Sequence, residues 1–115
     1  MTEDEAVHDL NCALLDAIEE TISGLLSRSV LAALYEHLAQ RHSIARSELP
    51  SRLETLCEVL QQTIGYSATR TVERAIAKAL FSKMKIPFNS SPNRTLVDYV
   101  EEAKKLVSEG FPSRL

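Results

Sequence analysis

Tryptophan is absent, and only three tyrosines and three phenylalanines occur among the 115 residues. A core built from this chain must therefore be aliphatic, drawn from Leu, Ile, Val and Ala, with 44% of all positions hydrophobic. Glycine (three) and proline (four) are also scarce. An all-β fold wants turn residues about every eight to twelve positions, and this chain cannot supply them. No apolar run approaches the roughly 18 residues of a membrane span. The acidic start Thr2-Glu3-Asp4-Glu5 lacks the positive stretch of a secretory signal. The expectation is a cytoplasmic protein, in which the sequons at Asn89 and Asn93 are coincidental and the two cysteines, Cys12 and Cys57, are free thiols.

What is present is helical periodicity, and it predicts an all-α fold: one compact bundle of about five helices. Residues 1–115 read as a single domain, with an acidic N-terminal helix (1–24), a helical body (25–109) and a short tail (110–115). The first helix, about 3–22, opens on a capping box of Thr2 and Glu5. It carries the stripe Val7, Leu10, Leu14, Ile18 and Ile22 until Gly24 interrupts the pattern. A second helix over 27–41 offers Val30, Leu31, Leu34, Tyr35 and Leu38. Pro50 should end any short turn at 47–49. The third, over 52–64, has Ser51 and Glu54 as a capping box, presents Leu53, Leu56, Cys57, Leu60 and Ile64, and closes on Gly65 as a left-handed residue. The fourth, over 68–84, offers Val72, Ile76, Leu80, Phe81 and Met84. After a loop with Pro87 and Pro92, the fifth runs over 96–108 behind a capping box of Thr95 and Asp98. Its inner face is Leu96, Val100, Ala103 and Val107, with Tyr99 and Leu106 at the edges and Gly110 as its stop.

Charge is unevenly distributed. Residues 1–24 hold seven acids and no Lys or Arg, whereas residues 25–115 hold nine acids and all 13 basic residues, so a net −3 divides into −7 and +4. The first helix is either a solvated acidic face that favours its own N-terminus or a cover for basic surface elsewhere. Such basic surface exists on the fourth helix, where Arg70, Arg74 and Lys78 recur every four residues and form one ridge, extended by Lys83 and Lys85. Glu73 interrupts it, and no exposed aromatic is expected beside it for base stacking.

Catalytic chemistry finds no foothold. No histidine pair has i, i+4 spacing and no Cys-x-x-Cys occurs, so no metal site and no cofactor are expected. His37 and His42 lie about 500° apart around a helix and should not share a face. His8, among acids, reads as solvated. Cys57 on an apolar stripe should be shielded, and neither cysteine has a basic neighbour in sequence to stabilise a thiolate. The three glycines are too dispersed for a phosphate loop, and no catalytic residue is named. A helix-turn-helix reading fails on charge, because the third helix would present Glu54, Glu58, Gln61 and Gln62 to a phosphate backbone.

The stretch LYEHLAQRHSIARSELP (34–50), the Gly65-led helix ending in LFSKMKIPF (80–88) and TLVDYVEEAKK (95–105) together resemble a small helical module of archaeal signalling proteins, the thaumarchaeal Nitrosopumilus-type output domain. The resemblance covers roughly residues 28–106. It implies a non-enzymatic unit that passes on a signal through contacts with a protein partner in trans or with itself. Two functional readings follow. In the first, the chain is a helical interaction module, a homodimer in its simplest form, with Leu10, Leu14, Ile18 and Ile22 as a buried or partner-facing stripe. In the second, the ridge of Arg70, Arg74 and Lys78 binds an anion or nucleic acid, with the first helix as a detachable acidic cover.

Overall fold

The computed structural model describes residues 3–91 and 93–109, the first two of these by backbone alone. Five α-helices form an all-α bundle: α1 (Glu3–Leu25), α2 (Arg28–His42), α3 (Leu53–Ile64), α4 (Tyr66–Lys83) and α5 (Leu96–Ser108), with a short 3₁₀ helix, Arg46–Ser51, between α2 and α3. Thr2, Pro92, Gly110 and the 110–115 tail, on which a cap, a loop proline and a stop are expected, lie outside the described residues. Among the described residues no helix is long and apolar enough to cross a membrane.

The centre of the bundle belongs to α1. Leu10, Leu14, Ile18 and Ile22 are each 0% exposed, and Ala6 and Ala17 beside them are buried as well. That face meets α4, α5, α2 and the 3₁₀ helix, so the chain does bury its longest stripe within itself. Gly24 does not break α1, which runs on to Leu25; one glycine in a last turn costs only about 1 kcal/mol. Ser27 caps α2 through a 3.0 Å bond from the Val30 N–H. Helix α2 packs on α1 through buried Leu34 and Leu38.

Chain reversals put two further isoleucines into the core. Ser43 ends α2 at φ 55° and Lys85 follows α4 at φ 57°. Each left-handed residue turns the chain so that the next one, Ile44 or Ile86, drops into the core at 2% or 6% exposure. The 3₁₀ helix then plugs Leu49 and Pro50 inward. It continues through Pro50 instead of stopping before it, and the Arg52 N–H closes it on the Leu49 carbonyl at 2.9 Å.

Capping follows expectation at one end and departs from it at another. At α5 the box is complete: Asp98 N–H donates to the Thr95 hydroxyl at 3.2 Å, and Thr95 N–H to the Asp98 carboxyl at 3.0 Å. The Thr95 backbone bond holds the Asp98 carboxyl below its ordinary range. At α3 the Ser51–Glu54 box does not form. The Ser51 hydroxyl donates back to the Glu48 carbonyl at 2.9 Å, and Arg52 occupies the cap position without a side-chain bond. Gly65 has the positive φ expected of it (86°), but with ψ 169° it is extended, not helical-left-handed, and it feeds α4 directly. Tyr99 lies in the core at 1% exposure, not at an edge.

Half of the aromatic residues converge there. Phe81 lies edge-on to both Phe88 and Tyr99, at centroid distances of 5.3 and 6.4 Å. The Tyr99 hydroxyl donates to the Ser91 carbonyl at 3.1 Å and accepts from the Ser91 N–H at 2.9 Å. This cluster ties the α4–α5 connection to the bundle.

Candidate functional site

The two surfaces singled out by spacing meet different fates. The stripe Leu10, Leu14, Ile18 and Ile22 is internal, so no partner reaches it in this fold and its work is to hold the core. Nor is α1 a detachable cover. Its acids bind other parts of the bundle: Glu20 pairs with Lys83 at 2.9 Å, and Glu19 accepts two bonds from the Arg46 guanidinium, both 2.7 Å. Glu19 also accepts the Tyr35 hydroxyl at 2.8 Å. Among the described residues no ion pair joins α1 to Arg74 or Lys78.

The Arg46 bond chiefly holds the Glu19 carboxyl below its ordinary value of 4.5, with Tyr35 assisting and burial opposing. A carboxyl with a lowered folded pKa stabilises above its unfolded value, and that contribution disappears as pH falls through the folded value. We expect the stability difference between the wild type and Glu19→Gln, measured by denaturant midpoints, to shrink steadily below about pH 4.5. Because Arg46 is more than half exposed, the difference at neutral pH is about 1 kcal/mol or less. An unchanged difference between pH 6 and 3 would contradict the assignment.

The basic ridge of α4 is real but redistributed. Arg70 is spent on the fold, donating to the Arg94 carbonyl at 2.9 Å. Glu73 does not interrupt the ridge. It turns to the opposite side and is 4% exposed, where its carboxyl accepts the Leu96 N–H at 2.9 Å and so caps α5. Arg74 and Lys78 stand exposed, and among the described residues no hydrogen bond or ion pair engages either one. Lys85, just beyond the end of α4, is exposed as well, as are the hydroxyl residues Ser67, Thr71 and Ser82 of the helix.

An exposed aromatic does accompany the ridge. Tyr66 opens α4 at 65% exposure, with the Arg70 guanidinium carbon 5.8 Å from its ring centroid. Starting the helix at residue 68 leaves Tyr66 in a loop; starting it at 66 places Tyr66, Arg70, Arg74 and Lys78 at four-residue intervals. At 1.5 Å per residue that line is about 18 Å long.

The cysteines differ sharply. Burial, reinforced by the neighbouring Glu73 carboxyl, pushes the Cys57 thiol up to about 12, which makes it a poor nucleophile. Cys12 is exposed, and its Sγ lies 3.7 Å from Nε2 of His8. Their i, i+4 spacing is visible in the sequence, but a search confined to histidine pairs and Cys-x-x-Cys passes over it. His37 and His42 also approach, with centroids 5.6 Å apart, although their spacing on a helix separates them by about 140°. Among the described residues no three His, Cys, Asp or Glu side chains are grouped closely enough to hold a metal ion.

Among the described residues, two surface depressions stand out. One of about 390 Å³ lies between the start of α3 and α5, lined by Arg52, Glu54, Glu101 and Lys104. Another, shallower and about 400 Å³, lies between α1 and α2 beside Leu31 and Tyr35. Neither gathers a nucleophile with a base and an orienting partner, the geometry that group transfer demands. No protein-family model, curated protein or solved structure matches this chain.

Proposed function

We propose that this protein is a non-catalytic helical interaction module that presents the exposed edge of α4 to an acidic segment of a partner protein. The observation that carries the reading is the pair Arg74 and Lys78, exposed and unengaged among the described residues of a chain of net charge −3, with exposed Tyr66 on the same helix. Tyrosine and arginine are the residue types that dominate interface energetics, because each offers a large contact area with a polar end. A long polyphosphate would also meet the exposed Glu54 and Glu58 of α3, which packs against α4, whereas a short acidic segment can end at the ridge. The signalling setting implied by the sequence resemblance is compatible with a protein partner in trans.

A second reading rests on Tyr66 itself: an aromatic in line with cations is also a platform for an unpaired base. Anisotropy titrations of a labelled oligoglutamate and a labelled single-stranded oligonucleotide, each over a salt series, separate the two. We expect the peptide to bind at low salt, and Arg74→Glu with Lys78→Glu to weaken it at least tenfold. Both positions are exposed, so the fold should be unaffected. Tighter binding of the oligonucleotide, lost in the same variant, would move the assignment to nucleic acid; no binding of either probe would remove the ridge from consideration.

A further inference from the structure

We propose that His8 and Cys12 are half of a zinc site, and that the same two residues of a second copy of this chain complete it as a Cys₂His₂ centre. The geometry points there directly. In a tetrahedral zinc site sulfur lies at about 2.3 Å and nitrogen at 2.0–2.1 Å, so the two donor atoms stand roughly 3.5–3.6 Å apart. Here Cys12 Sγ and His8 Nε2 are 3.7 Å apart, on consecutive turns of α1 and both exposed. The separation of the two donor atoms is thus the one a zinc ion requires, and rotation of the two exposed side chains is enough to aim them at a common point. The helix that carries them is fixed from behind, since Leu10 and Leu14 on its opposite face are at 0% exposure.

Two donors are too few for a structural zinc ion, which takes four, and the described residues of this chain group no third ligand with them. A two-fold axis beside α1 supplies the missing pair from an identical surface, as symmetric association requires. A soft thiolate with an imidazole selects zinc over the hard cations that the surrounding carboxylates alone would favour. Each Cys12 thiol releases its proton to solvent on binding.

The acids around the pair determine when association happens. Glu5, Asp9 and Asp16 are exposed on this side of α1, so two such faces repel while no metal is present. The same charges concentrate a dication near the site. The dimer is accordingly conditional on zinc.

The test uses the full chain, stripped of metal by a chelator and kept reduced with a phosphine. Light scattering behind size exclusion should show a monomer that becomes a dimer on addition of zinc chloride, with one zinc per two chains by elemental analysis. Cobalt in place of zinc should give a thiolate charge-transfer band and d–d bands of tetrahedral strength. His8→Ala and Cys12→Ser, both surface changes, should each lower zinc affinity at least a hundredfold and abolish the mass change. His37→Ala with His42→Ala should leave both intact. Zinc bound one per monomer, binding that survives in Cys12→Ser or His8→Ala, no zinc binding, or a dimer that persists after chelation would each overturn the proposal.

Discussion

Replacing Leu14 with alanine should cost about 2–5 kcal/mol of stability, the range for a large core side chain whose site cannot collapse. Leu14 is wholly buried between Leu10 and Ile18 on a helix that meets four other elements. A domain of this size has only about 5–15 kcal/mol to lose, so the variant should unfold at a much lower urea midpoint with an unchanged slope. Leu14→Asp, which would bury a charge without a partner, should not fold. Removal of residues 1–24 should have the same outcome, because it takes away the face against which α4 and α5 close. A truncated chain that remained folded and cooperative would restore the picture of α1 as a cover.

The second large effect is expected at Glu73. Its carboxyl is the acceptor for the first N–H of α5, placed where a helix N-terminus favours an acid. Glu73→Ala leaves that buried N–H without a partner and should cost about 2–3 kcal/mol, a fall in Tm of roughly 10–20 °C. Glu73→Gln keeps a carbonyl oxygen in the same place and should recover at least half of the loss. Hydrogen exchange locates the effect: protection at Leu96 should drop before that of α1. Equal stability of the alanine variant and the wild type would mean that another group caps α5.

The contrast between these two positions shows what a linear reading can reach. The α1 stripe is legible because burial follows a period set by the helix itself. The Thr95–Asp98 box is legible for the same reason, since both partners lie within one turn. Ser51 and Glu54 have the same spacing and fail, because the preceding 3₁₀ turn takes the Ser51 hydroxyl for its own carbonyl. Glu73 and Arg70 read as surface charges in the sequence because their partners, Leu96 and Arg94, are more than 20 residues away. Spacing also places Arg74 and Lys78 on one exposed edge of α4, and a helix start at 66 instead of 68 adds Tyr66 to the same helix. His8 with Cys12 lay within reach of spacing alone.

The central place of α1 also governs the order in which the chain can mature during synthesis. Its aliphatic face leaves the ribosome before the surfaces that shield it, since α4 and α5 end at residues 83 and 108. Until α5 emerges, Leu10, Leu14, Ile18 and Ile22 therefore travel without their full cover, and a nascent chain in that state is sticky. Closure depends on contacts of α1 with α4 and α5, long-range pairings that cannot form until α5 has been made.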